Sequence, residues 1–508
     1  MRFAVFFFFL FTSSLPAGAQ ARLNQVAHLR YDSVTLAGCS HFVAENGREY
    51  ALVGTSKGLS IVDLSDPAKP FQRFFVPMPA GNWREVKTWA GFAYVASEAP
   101  NSGLFIVDLR ALPDTVYTKT WKGDGAYAGE VVTNHALCVA DGYLYLFGGN
   151  FVAQGAVICD ISDPWNPRIV GRYNTNYIHD GFVRNDTLWA AEIYAGQISI
   201  IDVGNKSAPR VIATQPTPGA FSHNTWLSDD GRTLFTTDEV LNAPLTAFDV
   251  SNLNNIALLD VYYPSLDPSR EVHNVRVLNN FLINPSYGGQ LSLVDAQFPD
   301  NLIELDIVRL GSSLVWDADP FLPSGLLIVS AKNEGLFLFK PTYQRAAYLH
   351  GSIADAATGQ PVFDATVTIL NTPAFDQSKP DGQYYTGIAR SGLYTVEVER
   401  AGYEPITLNN IALTSGQVTR LDLKLTPAGA IAGDPVTKPT FKVVSSPFQN
   451  QLQGNLAAVP SSRGAKQPSG FARTTSPDKL AINDLDHLPN AMYHLQRAGR
   501  ADKVVKNE

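Results

Sequence analysis

Apolar and polar residues alternate in short runs along the first two thirds of this chain, and six of those runs close on an aspartate: LSIVD at 59–63, LFIVD at 104–108, AVICD at 156–160, ISIID at 198–202, LTAFD at 245–249 and LSLVD at 291–295. Such alternation is the period of a β-strand, not of a helix. A seventh run, LFLFK at 336–340, keeps the spacing and ends on Lys340, and the steps between these ends are 45, 52, 42, 47, 46 and 45 residues. Upstream of each run lies another strand start, at His41, Trp83-Arg84, His135, His179, His223, His273 and Trp316. Between the two landmarks comes a turn such as Asn46-Gly47, Asp141-Gly142, Asn185-Asp186 or Asp229-Asp230-Gly231. These residues tolerate the positive backbone angle of a tight hairpin. A further strand such as RFFVP or RIVGRY follows the aspartate's own turn. Four strands per unit at this period predict an all-β fold, a seven-bladed β-propeller over residues 20–345.

A ring of blades has to close, because an open edge strand leaves backbone groups unpaired. The seventh unit stops at Lys340-Pro341 without a fourth strand, whereas Val26–Tyr31 precedes the first unit as a spare one. The N-terminal segment is therefore expected to complete the last blade. Each terminal aspartate is expected to accept a hydrogen bond from the SDP-like turn behind it, as an Asx anchor.

Beyond the repeats, residues 346–427 alternate again, with Thr358-Gly359, Asp381-Gly382 and Ser391-Gly392 at the turns, which describes a small β-sandwich. Gly351, Asp355, Thr358-Gly359, Pro361 and Ala365 stand where the carboxypeptidase regulatory-like domain has them, and the segment resembles that family. The resemblance implies a non-catalytic, prealbumin-like module. Residues 428–478, rich in Ala, Gly, Pro, Ser and Thr, read as a linker. In residues 479–508 a short C-terminal β region returns, and with Pro447-Phe448 and the LPNAMY turn it resembles a type IX secretion sorting region of Bacteroidetes, departing from it at Ser445, Ser446 and Ala491. The LxIVD phrases resemble the LVIVD repeat, and the whole layout resembles the choice-of-anchor B family. That likeness implies export, handling by the type IX secretion machinery and surface attachment or release, with no established activity.

Residues 1–19, with Arg2, an apolar run and Ala17-Gly18-Ala19, read as a secretory signal peptide, too short in its apolar part for a membrane span. Cys138 and Cys159 are expected on the first and third strands of one sheet, about 9.5 Å apart, beyond disulfide reach, so buried thiols are expected for them and for Cys39. A formal charge of −8 without a basic cluster argues against nucleic acid as a partner. An extracellular glycan, protein or small molecule fits better.

The candidate chemistry lies on the inner strands. In a propeller these line the central channel, so His135, His179, His223 and His273, with His41 in the first blade, are expected at one mouth. Counting back from the hairpin turns places Glu192 beside His179, and Asp238 and Glu239 beside His223. Three readings stay open: a divalent metal at the channel, with His179, His223, Glu192 and Asp238 as the adjacent-blade ligands; a polar-ligand or catalytic site with imidazole as general base, making the protein a hydrolase or lyase; or ordinary strand-capping hydrogen bonds. The principal reading is a binding or scaffold module, with catalysis as the alternative.

Overall fold

The computed structural model describes residues 21–150, 154–429, 440–445, 462–463, 492–497 and 500–505. The signal-peptide segment and most of the linker and sorting region lie outside the described residues. Among the described residues, seven sheets of four strands follow one another along the chain to Pro341, each antiparallel. One of them gains a fifth, two-residue strand, Ser462–Arg463, at its inner edge.

Burial explains why the repeat reads as it does. The LSIVD strand Gly58–Asp63 is buried at every position, as is Phe92–Ser97, because neighbouring sheets cover both faces. The fourth strand of the same blade, Phe71–Pro77, faces solvent along most of its length. Apolar clusters therefore sit between blades: Trp189, Ile200, Trp226, Phe235, Val277 and Val294 join three consecutive sheets. All six terminal aspartates anchor their turns, accepting the backbone N–H two residues on, from Ser65, Arg110, Ser162, Gly204, Ser251 and Gln297, at 2.7–3.0 Å.

The ring closes as expected, with a small shift in extent. Leu23–Leu29, rather than Val26–Tyr31, pairs antiparallel with Gly335–Pro341, running from Leu23 opposite Pro341 to Leu29 opposite Leu336. All three cysteines are buried and none is bridged. Among the described residues no helix is long and apolar enough to cross a membrane.

The second domain packs two four-stranded sheets around Leu349, Ile353, Val367, Val396, Val398 and Leu421. Its outermost strand, Thr440–Ser445, pairs with Gln417–Leu425, so this sheet runs past 427 into the segment expected to be linker. The sixth blade's Asp295 joins the domains, accepting from Tyr348 Oη at 2.6 Å, Ala346 N at 2.7 Å and Arg345 Nη1 at 2.7 Å.

At the same seam Asn301 Nδ2 donates to His350 Nε2 at 3.2 Å. Burial lowers the His350 pKa from 6.5 to about 4, against a raising pull from Asp300. The neutral ring is the form that fits, so its contribution is complete above pH 6.5 and drains away as pH falls toward 4. Thermal melts should lose more stability over that window in the native chain than in a His350→Leu variant; equal losses would remove His350 as the cause.

Candidate functional site

Four inner strands bring His135, His179, His223 and His273 into one continuous arc at the channel mouth. Ring centroids of successive members lie 4.2, 4.6 and 4.4 Å apart, and all four residues are fully buried. The arc ends on Trp316 of the seventh blade, whose ring centroid is 5.2 Å from that of His273 in an edge contact. His135 Nε2 and His179 Nε2 approach to 3.2 Å.

Hydrogen bonds around the arc fix its tautomers. His223 Nδ1 lies 2.7 Å from the carbonyl oxygen of His273, and His273 Nδ1 lies 2.7 Å from that of Trp316. A carbonyl only accepts, so each Nδ1 carries its proton and each neutral Nε2 presents a lone pair. His135 Nδ1 is held in the same way by Glu98 Oε1 at 2.7 Å. His179 Nδ1 has Tyr177 Oη at 3.5 Å. Carboxylate and carbonyl partners on the far nitrogen are the usual outer support of imidazole metal ligands.

Of the expected acids, only Glu239 reaches the arc. Its Oε2 lies 3.8 Å from His223 Nε2, and its Oε1 accepts from Tyr287 Oη at 2.5 Å. Burial and then the charge of Glu239 push the Tyr287 phenol well above its ordinary pKa, which keeps it a donor. His179, His223 and Glu239 can each offer one ligand atom with all three inside 4.8 Å of one another. Two donors on one tetrahedral ion with bonds of ~2.1 Å stand about 3.4 Å apart, close to the spacing of His135 and His179.

Glu192 and Asp238 do not join the histidines. Ala191 O accepts from His179 N, while the Glu192 carboxylate next along is taken up by Tyr173, Asn176 and Gln197, which donate to it at 2.8, 2.7 and 2.9 Å. Asp238 is turned away by a bulge between Ser222 and Asn224. It accepts from Thr217 Oγ1, Gly219 N and Phe221 N at 2.5, 3.0 and 3.0 Å, leaving Glu239 to face His223. His41 does not join the arc, and a bulge between Leu36 and Cys39 shifts the register of its strand. Its Nδ1 pairs with Asp319 at 2.9 Å, a carboxylate that raises the His41 pKa against the lowering effect of burial. In the first blade, a Cβ added at Gly38 would strike Glu85 Oε1.

Sequence reading missed Glu98, Tyr287 and Lys332. Each directly follows the second strand of its blade, as Glu239 does (strands Phe92–Ser97, Phe281–Ser286, Leu327–Ala331 and Thr233–Asp238). That shared position was the available signal. The third blade has Gly148 there at φ +58°, and a Cβ would come within 2.6 Å of His135 Cβ and 2.9 Å of Tyr177 Oη. Glycine at that point makes room for the arc.

Beneath the arc lies a charged layer built from the residues that follow the histidines. Asn224 Nδ2 donates to Asp180 at 2.5 Å, Asn274 Nδ2 to Asp317 at 3.2 Å, and Arg276 pairs with Asp317. Burial, with Asn224 and Arg276 opposing it, leaves the Asp180 pKa raised to about 6.

Two family models agree with this architecture. Residues 348–426 match the carboxypeptidase regulatory-like domain, and residues 44–75 and 137–175 match the LVIVD repeat. No curated protein matches the chain. Among solved structures, the chain is similar to the crystal structure of the WD40 beta propeller domain of Doa1, at 10% identity and a TM-score of 0.46, over 64% of this chain and 98% of that one. The protein is a β-propeller carrying a carboxypeptidase regulatory-like β-sandwich, an architecture suited to binding or scaffolding.

Proposed function

We propose that this propeller is an exported binding module, and that its channel mouth holds a divalent transition metal. The ligands are Nε2 of His179, Nε2 of His223 and Oε2 of Glu239, with His135 Nε2 as the fourth donor. The observation that carries this reading is the convergence of three ligand atoms within 4.8 Å. The outer hydrogen bonds support it by placing the ring proton of His135 and of His223 on Nδ1. Neutral imidazoles with one carboxylate suit zinc, iron, manganese or copper. Export, by the type IX secretion machinery, rests on the leader-like first nineteen residues and the sorting-like end of the sequence. In this reading the sandwich spaces the propeller from its attachment point, and the ligand is extracellular.

Metal content of the purified full chain tests the site. About one ion per chain is expected, falling below about a tenth in a His179→Ala/His223→Ala variant that still melts cooperatively. Tyr287→Phe should weaken metal binding about 10- to 100-fold, since that hydroxyl positions Glu239. A metal-free native chain, or a double variant that keeps its ion, would overturn the reading.

A further inference from the structure

We propose that the channel below the histidine arc is a strand-accepting site, and that its occupant is the chain's own segment Ser462–Arg463, added to the inner strand of the third blade. The segment that follows the sandwich is thereby tied to the ring. This inference is independent of the metal reading.

The third blade differs from its neighbours in one residue of the charged layer. In four other blades the amide just past that layer is taken up by one of the layer's side chains: Gly181 N donates to Asp180 Oδ1 at 2.8 Å, Val275 N to Asn224 Oδ1 at 3.0 Å, Ala318 N to Asp317 Oδ1 at 2.9 Å and Cys39 N to Asp317 Oδ2 at 3.2 Å. In the third blade the layer position after His135 is Ala136, which has no acceptor to offer the amide of Leu137. Glu85 of the second blade is engaged elsewhere, its Oε2 accepting from Lys87 Nζ at 3.3 Å and its Oε1 lying where a Cβ on Gly38 would stand. A buried amide without an acceptor costs about 1–3 kcal/mol. An added strand removes that cost, and here Leu137 pairs antiparallel with Arg463 and Cys138 with Ser462. The same segment lies against Asp180–Arg184, the inner strand of the fourth blade, so it is seated between two blades.

The sandwich delivers the chain to the correct face. Its strand Thr440–Ser445 ends with Ser445 opposite Gln417. Next to Gln417, Gly416 N donates to Ala346 O at 2.8 Å or less, and Arg345 Nη1 donates to Asn280 O at 3.1 Å, in the first hairpin turn of the sixth blade. The equivalent turn of the third blade, Asp141-Gly142, is the end toward which Leu137 and Cys138 run from His135. The sixteen residues 446–461 reach up to about 50 Å when extended, whereas four strands spaced about 4.8 Å make a blade only about 20 Å deep. The distance from rim to channel is within reach.

Disulfide trapping in the full chain tests the seat, because residues paired in an antiparallel ladder stand about 4.5–5.5 Å apart at Cα, inside the span of a disulfide. Ser462→Cys is oxidised with diamide, which takes up the two thiol hydrogens, and the bond is located by peptide mapping of the monomer. The thiol at 462 should join Cys138 at least about tenfold faster than the thiol of Ser469→Cys, seven residues on, because docking raises its local concentration. Adding Ala136→Asn to Ser462→Cys supplies the missing acceptor and should slow the bond about fivefold or more in a protein that still melts cooperatively. Absence of a bond to Cys138, or equal rates in Ser462→Cys and Ser469→Cys, would overturn the inference. A rate untouched by Ala136→Asn in the folded protein would overturn it as well.

Discussion

Removing residues 21–35 is expected to abolish cooperative folding of the propeller, not merely to trim its end. The strand Leu23–Leu29 is the whole fourth strand of the seventh blade, and without it Gly335–Pro341 becomes an open edge. Leu23 is 3% exposed and packs among Phe281, Leu293, Val329 and Phe339 of two sheets. Val26, Ala27 and Leu29 cover Leu336, Leu338 and Ile328 on the other face. Losing this burial costs about 4–6 kcal/mol, comparable with the whole stability of about 5–15 kcal/mol typical of a domain. The cut also opens the seam to the sandwich. Asp306 Oδ2 accepts from Arg22 N and Leu23 N at 2.6 and 2.8 Å, and the Arg22 guanidinium donates to Gln344 O and Ala389 O. Thermal unfolding followed by far-ultraviolet circular dichroism should turn broad, with dye-binding apolar surface at room temperature. A truncated protein that melts sharply within about 2 °C of the full chain would show that closure does not hold the ring.

The architecture was legible because duplication wrote it several times. Each unit repeats its buried third strand and its aspartate anchor, so a pattern unconvincing in one copy is decisive in six. The missing fourth strand after Pro341 and the spare one before the first blade could be matched for the same reason. The four clustered histidines were legible as well, since His135, His179, His223 and His273 hold one place in four consecutive repeats. Of the acids expected beside them only Glu239 reaches them, because hairpin counting assumes a regular ladder. One bulged residue near His223 turns Asp238 away and leaves Glu239, and another shifts the strand of His41, which pairs with Asp319. Glu98 and Tyr287 share one place in the repeat, just after the second strand, but a different residue type stands there in each blade, so no recurring letter marks it.

The second large effect is expected at the layer below the histidines. Asp317 and Arg276 have side chains 0% and 1% exposed. Asp317 also accepts from Asn274 Nδ2 at 3.2 Å, Cys39 N at 3.2 Å and Ala318 N at 2.9 Å. Asp317→Ala leaves the guanidinium buried without its counter-charge, at a cost of about 3–5 kcal/mol. The Arg210–Asp202 pair, with side chains 74% and 44% exposed, is the contrast; Arg210→Ala should change stability by less than about 1 kcal/mol. Replacing both buried partners, as Arg276→Met with Asp317→Leu, should recover much of the loss, because the penalty comes from the isolated charge more than from the missing attraction. Denaturant unfolding of the three variants measures all of this. The effect should also reach the mouth. Trp316, the neighbour of Asp317, offers the carbonyl that orients His273, and the carbonyl of His273 in turn orients His223. A shift of the seventh inner strand therefore misaligns a ligand two blades away. Metal affinity should fall in Asp317→Ala under conditions where the protein remains folded, and recover in part in the double variant. Unchanged stability in Asp317→Ala would mean that water reaches Arg276 and that the layer is not a closed floor. Lost stability with unchanged metal affinity would confine the coupling to folding and leave the arc supported from above, by Glu98, Tyr177 and Tyr287.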